Sequence, residues 1–316
     1  MPAESAPVLA VDIGGTKLAA GVVDADGRVL TSGRVPTPGG EDAEVLWDAL
    51  RGLIEKVRAE AVAAGSPAPY GIGVGSGGPM RWPEGVISPL NIPAWHEFPL
   101  RHRLRELARG APVRVHNDAV ALALGEHRWG AGRGHANMLG MVASTGVGGG
   151  LVLGGRVVDG ASGNAGHIGH VVVDPTGPPC ACGGFGCLEA IASGPRTVAR
   201  ARAAGWVGAD AVALTADARA GHPVAVAALA RAGEALGIGI ASAVALCDVS
   251  IVVLGGGLAQ AGNLLFDPLR VAYTRYARLA FSRDVPVVPA ALGPNAGLIG
   301  AATLLLGGES CWSAED

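Results

Sequence analysis

Apolar positions along the chain fall into two kinds of run, short unbroken ones and longer ones with helical period. Residues 8–11, 18–23, 70–74, 113–115, 138–144, 151–153, 251–254 and 285–289 are short and rich in Val, Ile and Leu, and each is read as a strand. Residues 41–64 place Val45, Leu46, Ala49, Leu50, Leu53, Ile54 and Val57 on one helical face. Glu41, Asp42 and Glu44 crowd the first turn of that helix, where negative charge suits the helix dipole. Further helices are expected over 101–109, whose basic residues read as a solvated face, over 119–129, and from Ser193-Gly194-Pro195 through 202. Residues 223–246 are apolar on most sides and so belong in a core, and helices over 264–280 and 296–306 complete the pattern. Beyond 307 the tail reads as frayed. Strands alternating with helices predict an α/β fold, and 316 residues are long for one core, so two lobes are expected.

The strands end in glycine-rich turns, and those turns are where chemistry is sought. The first runs into Asp12-Ile13-Gly14-Gly15-Thr16-Lys17, whose backbone N–H groups, hydroxyl and ammonium can wrap a phosphate, with Asp12 placed to hold Mg2+ or its water shell. The same residues read equally as a hairpin tip. Residues 75–79 (Gly-Ser-Gly-Gly-Pro) follow another strand, as ligand loops of open α/β sheets do, or form a plain turn. Asn91-Ile92-Pro93-Ala94-Trp95 is a polar and aromatic loop of the sort that lines a sugar pocket. His116-Asn117-Asp118 stands at a strand–helix junction, where Asp118 is either a helix N-cap or a carboxylate placed to take a proton. Thr145-Gly146 opens a second strand–turn–strand unit like the first, which suggests duplicated lobes with one phosphate clamp each. Gly255-Gly256-Gly257 would let a flat ring such as adenine approach the backbone.

His170, Cys180, Cys182 and Cys187 fall within one Gly/Pro-broken segment. An imidazole and three thiols are the ligand set of a closed structural zinc site, and no apolar period surrounds these cysteines to make them core residues. A disulfide would leave an odd thiol in the cluster.

Composition narrows the picture. With 49% hydrophobic and 16% charged residues the chain is globular, and a net charge of -3 without a Lys/Arg run offers nothing to nucleic acid or an anionic membrane. The two cysteines outside the cluster, Cys247 and Cys311, stand alone, which suits a reducing compartment. The N-terminus lacks a basic segment followed by an apolar one, and no stretch has the roughly 20 uninterrupted apolar residues of a membrane span, so a cytoplasmic protein is expected.

Taken together, DIGGTK, HNDA, STGVGGG, the GHIGH–CACGGFGCLE segment and VVLGGG resemble the motifs of the ROK family of sugar kinases, in order, from about residue 8 to about residue 305. The resemblance implies a two-lobed actin-like ATPase fold, a duplicated ribonuclease-H-like α/β unit with a cleft between lobes and a zinc-binding loop. The lobes are expected over 1–118, completed by the C-terminal helix 296–316, and over 119–295. Repressors of the family carry a helix-turn-helix domain ahead of this strand; with eleven residues before Asp12, none is expected here and the kinase branch is. The resemblance further implies ATP with Mg2+, a structural Zn2+ and a homodimer or tetramer. It makes Asp118 the base for a sugar C6 hydroxyl, and puts Gly78, Asn91, Asn117, His167, His170 and Glu189 on the sugar, with His170 also on zinc beside the three cysteines. Asp12, Gly14, Gly15, Thr16, Lys17, Thr145, Gly146, Gly256 and Gly257 would face the nucleotide.

Two positions depart from the family's glucokinases. His167 stands where they carry glutamate, as in the family's N-acetylmannosamine kinases, and Gly77 stands where many have proline. The 91–95 loop resembles the glucokinases instead. The expected substrate is therefore an N-acetylhexosamine (N-acetylmannosamine before N-acetylglucosamine), with glucose as the alternative and a sugar sensor without turnover as the reading of another class.

Overall fold

The computed structural model describes residues 6–312. Residues 313–316, which the sequence reading attaches to the first lobe, lie outside the described residues. The elements in chain order are β1 (Val8–Ile13), β2 (Lys17–Val23), β3 (Val29–Pro36), α1 (Ala43–Ala63), β4 (Ile72–Ser76), the short hairpin β5 (Met80–Arg81) and β6 (Val86–Ile87), α2 (Leu100–Ala108), β7 (Val113–Asn117) and α3 (Asp118–Trp129). There follow β8 (Met138–Ala143), β9 (Val147–Leu153), β10 (Arg156–Val157), α4 (Leu188–Ala192), α5 (Gly194–Ala203), α6 (Ala211–Arg219), α7 (Pro223–Cys247), β11 (Ile251–Gly255), α8 (Asn263–Tyr276), β12 (Val287–Pro289) and α9 (Ala296–Leu306).

The strands form two five-stranded sheets of like order, β3-β2-β1-β4-β7 and β10-β9-β8-β11-β12. In the first, β1, β2 and β3 pair antiparallel, whereas β1, β4 and β7 run parallel. In the second, β8, β11 and β12 run parallel and β9 pairs antiparallel with β10. Two compact units result: residues 1–134, 150–165 and 291–316, and residues 135–149 and 166–290. This division differs from the expected break at 118, because α3 packs against α9 and belongs with the first sheet.

The first sheet is covered on both faces, which explains the unbroken apolar run of β1. Leu9, Val11 and Ile13 point to a cluster with Leu46, Leu50, Ile54 and Val57 of α1 and Leu100 and Leu104 of α2. Val8 and Ala10, with Ala19 and Val23 of β2, point to Leu298, Ala301, Ala302 and Leu305 of α9. Period-two alternation thus sends alternate residues to opposite helical layers. Gly73 of β4 lets α9 lie close, since a Cβ there would collide with the Ala301 carbonyl, and Gly300 does the same against the Ala121 carbonyl of α3.

In the second unit, α7 is the core helix. By length and composition it is the one helix among the described residues that could cross a membrane, but 61% of its most apolar window is buried against the protein. It crosses α8 tightly at Gly233 and Gly237, where a Cβ would strike the Leu265 and Leu269 carbonyls.

Several expectations are corrected. The α2 arginines are not simply a solvated face: Arg101 is 5% exposed with Nε donating to the Val113 carbonyl, and Arg103 makes a two-pronged contact with Glu44, 2.6 Å on each arm. The tail is not frayed through 312, because Cys311 and Trp312 are buried and the Trp312 ring receives the Arg101 and Arg114 guanidinium groups. α8 ends at Tyr276, four residues short of the expected 280. β3, α4 and α6 are additions that the apolar pattern did not announce.

Candidate functional site

In the first unit, the expected ligand residues gather beyond the carboxyl ends of β1, β4 and β7, the edge at which open parallel sheets present ligand loops. Residues Gly14–Lys17 make a tight hairpin tip, with Gly14 N–H donating to the Lys17 carbonyl at 3.0 Å and the Thr37 hydroxyl donating to the Gly14 carbonyl at 2.7 Å. Hairpin tip and candidate phosphate turn are therefore one structure. Asn91 is wedged between two such turns: a Cβ on Gly15 would come to 2.9 Å of its Nδ2, and one on Gly77 to 3.3 Å of its Oδ1. Gly78 joins the same loop through its carbonyl, which accepts the Leu90 N–H at 3.3 Å.

Asp12, the last but one residue of β1, has its carboxylate against Gly297 in the first turn of α9, where any side chain would collide with it. Burial pushes the Asp12 pKa up from its ordinary 3.8, and the nearby Lys17 and Arg34 charges pull it partway back. Arg34 itself is held by the Pro294 carbonyl at 3.0 Å, just before α9. A partly desolvated carboxylate beside an ammonium and a guanidinium is a group whose environment suits a cation or phosphate partner.

The N-cap of α3 is Asn117, whose Oδ1 accepts the Ala119 N–H at 3.0 Å. Asp118 is the first helical residue, and its Oδ1 accepts the same N–H at 2.8 Å. Just before them, His116 is fully buried and contacts Asp159. Neither His116 nor Asp159 was singled out from the sequence. A histidine ending a strand and an aspartate 43 residues later leave no spacing signal.

In the second unit, Thr145 and Gly146 form the β8–β9 turn, and Gly256 and Gly257 close β11 alongside it. Gly256, at φ +94, lies so near β8 that a Cβ would strike the Ala143 carbonyl, and a Cβ on Gly257 would sit 3.7 Å from the Ser144 Oγ. The glycines at 148–150 are in β9, which begins at Val147, four residues before the strand expected at 151–153. They serve close packing: a Cβ on Gly149 would reach 2.8 Å from the Gly166 carbonyl, and one on Gly150 would reach 2.6 Å from Val120 Cα. Glu189, in the first turn of α4, accepts the Val147 N–H at 2.9 Å, so its carboxylate lies across the 144–147 turn.

The ligand atoms of His170, Cys180, Cys182 and Cys187 lie within 4.8 Å of one another. The Cys182 and Cys187 sulfurs are 3.7 Å apart and the Cys180 sulfur is 3.7 Å from His170 Nδ1. Tetrahedral zinc–thiolate bonds of about 2.3 Å require a sulfur–sulfur edge of roughly 3.8 Å, so the donor set fits that ion and leaves no vertex for water. The loop reaches this shape because Gly186 (φ +66) takes a left-handed conformation and packs on the Asp174 carbonyl where any Cβ would clash. Burial, with the Cys182 and Cys180 thiols beside it, pushes the Cys187 thiol up to about 12. His167 stacks on His170, ring centres 5.3 Å apart, and burial together with the His170 neighbour lowers its pKa.

Comparison with known proteins decides the family. The ROK family model matches residues 8–307. The chain belongs to the ROK family. It is 36% identical over 316 residues to a glucokinase of Streptomyces coelicolor, covering 94% of this chain and 96% of that one. To an N-acetylmannosamine kinase of Shigella boydii it is 38% identical over 303 residues, with 95% and 98% covered. A Streptomyces griseus ROK family glucokinase solved with glucose and AMPPNP superposes with a TM-score of 0.83 at 35% identity, covering 94% and 98%. The ROK member's fold is the actin-like ATPase fold, as the motifs implied.

Proposed function

We propose that this ROK protein is an ATP-dependent sugar kinase that transfers the γ-phosphoryl group to the C6 hydroxyl of an N-acetylhexosamine, N-acetylmannosamine first. The observation that carries the kinase reading is Asp118. Its carboxylate stands on the first turn of α3, at the sheet edge that also carries the Gly14–Lys17 turn, in a chain whose named relatives are sugar kinases. In this reading the C6 oxygen forms a bond to the γ-phosphorus as the bond to the β–γ bridging oxygen breaks. Asp118 takes the hydroxyl proton and ADP leaves. Positioning and charge stabilisation supply the rate, as in phosphoryl transfer generally. Gly14, Gly15, Thr16 and Lys17, with Thr145 and Gly146, serve the phosphates, and Gly256 and Gly257 the adenosine. Asp12 would hold Mg2+ or its water shell, and the ion would supply neutralisation of the phosphate charge. Asn91, Gly78, Asn117, His167 and Glu189 serve the sugar. His170 and the three cysteines would hold zinc, which would fix His170 and, two residues past Cys187, Glu189.

The acetamido preference rests on His167. An imidazole whose pKa is lowered is neutral at pH 7, so it offers one donor and one acceptor where a carboxylate only accepts. Its N–H suits an amide carbonyl. A second reading, glucokinase, is favoured by the glucokinase-like 91–95 loop and by the near-equal identity to the two kinds of relative, 36% and 38%.

The test is ADP release with ATP and Mg2+ against N-acetylmannosamine, N-acetylglucosamine, glucose, mannose and fructose. Best turnover on an acetamido sugar supports the His167 argument, whereas preference for glucose makes the protein a glucokinase. Asp118→Asn should lower kcat by about 10²-fold or more while sugar binding persists. Unchanged turnover in that variant sinks the mechanism, and silence of the zinc-loaded wild type on all five sugars favours a sensor.

A further inference from the structure

We propose that His116 and Asp159 form a buried positioning pair that sets the aim of the Asn117–Asp118 segment, an inference that rests on Asp118 being the base. His116 is 0% exposed and Asp159 8%. The ring uses both nitrogens. Nδ1 accepts the backbone N–H of Asn117 at 2.8 Å, so the ring proton sits on Nε2 and is given to Asp159 Oδ1 at 3.0 Å. A buried imidazole with both nitrogens bonded in this way is fixed in tautomer and in rotation. The peptide it grips is the one between His116 and Asn117, one residue ahead of the Asn117–Asp118 peptide. From there Asn117 Oδ1 and Asp118 Oδ1 both accept the Ala119 N–H, so a line of bonds runs from Asp159 through the ring to the carboxylate assigned as base.

The far end of that line is a loop. Asp159 accepts the Ala165 N–H at its own carbonyl, 3.0 Å, closing residues 159–165 into a turn with Gly160 and Gly163 at φ +75 and +76. Gly163 seats the turn on Trp82, leaving no room for a Cβ, and the Trp82 ring lies 6.3 Å from the His116 ring. The loop and the base segment are therefore braced against one another within the first unit. A histidine that merely filled the core would need no carboxylate facing it. An apolar side chain of similar volume would fill the same space and leave Asp159 buried against it.

With the bonds cut, Asp118 stays in place but is loosely aimed, and misplacement of a reacting group by about 1 Å can cost roughly 10²-fold in rate. The loss belongs in kcat. The test measures kcat and both KM values for Asp159→Leu, Asp159→Asn and His116→Gln, with Asp118→Asn alongside. It uses whichever of N-acetylmannosamine and glucose turns over faster, and thermal melting and circular dichroism report folding. Asp159→Leu should lose about 10- to 100-fold in kcat with each KM within about threefold. Asp159→Asn, whose amide oxygen still accepts from Nε2, should stay within about threefold of wild type. His116→Gln fills the site and can still donate to Asp159 but drops the Asn117 N–H, so it should lose several-fold in kcat at constant KM. That last variant decides the matter if Asp159→Leu does not fold. The pair is refuted by wild-type kcat in folded Asp159→Leu, by wild-type kcat in His116→Gln, or by an Asp159→Asn as slow as the leucine variant. If Asp118→Asn is inactive in the same assay, such a result refutes the pair alone; if Asp118→Asn turns over normally, the base reading falls and takes the pair with it.

Discussion

At the scale of single residues, the candidate site trades stability for chemistry, and Asp12 is where this is most easily measured. Its folded-state pKa is raised, so the folded protein holds that proton more tightly than the unfolded chain does. The stability this contributes is fully present below 3.8 and is lost as pH rises through the folded value, because ionising the buried carboxylate costs free energy. Asp12→Asn should accordingly raise the urea midpoint at pH 7 relative to wild type, with the difference shrinking on acidification, while kcat falls by about 10²-fold or more. A midpoint that drops at pH 7 would show that the carboxylate's charge partners outweigh its desolvation. Cys187 poses the complementary case. A thiol pushed up to about 12 must lose its proton to bind metal, so zinc binding should release protons and weaken in acid. Calorimetric zinc titrations in buffers of different ionisation heat would read that release directly.

At the scale of elements, glycine proves to have two trades that the sequence alone does not separate. Gly14 and Gly15 sit in a turn, as read, but Gly149 and Gly150 sit inside β9 for close packing, and Gly73 and Gly300 let β4, α3 and α9 approach backbone to backbone. Gly73→Ala should therefore destabilise by about 1–3 kcal/mol through overpacking, seen as a lower urea midpoint at unchanged m-value. The legible elements were those whose apolar period is strong: β1, α1 and α7 stand close to where the pattern puts them. β3 was missed because its burial alternates half-buried with exposed, and α4 because a helix of five residues carries too few turns to show a period. The four candidate metal ligands were legible because they are close in sequence. The His116–Asp159 pair was not, because only the fold brings 116 and 159 together.

At the scale of the whole molecule, the metal cluster and the candidate sugar residues share one short piece of chain. Cys187 precedes Glu189 by two residues, and Glu189 holds the Val147 N–H of the β8–β9 turn. Removing zinc should thus disturb sugar and phosphate residues together. Chelation should lower the melting temperature, raise KM for the sugar and release about one zinc per chain, read by atomic emission; a chain that purifies without zinc and melts unchanged after chelation would refute a structural ion.

The division into units has a further consequence. One unit is assembled from residues 1–134, 150–165 and 291–316, the other from 135–149 and 166–290, so neither is an unbroken length of chain. The helix that covers one face of the first sheet, α9, is made last, after the whole second unit. On the ribosome the first sheet must wait for its second layer until nearly all 316 residues have emerged. For the same reason, no single crossover between two genes of this family can exchange one unit whole: a recombinant joined anywhere between β7 and α9 inherits the first sheet from one parent and its covering helix from the other.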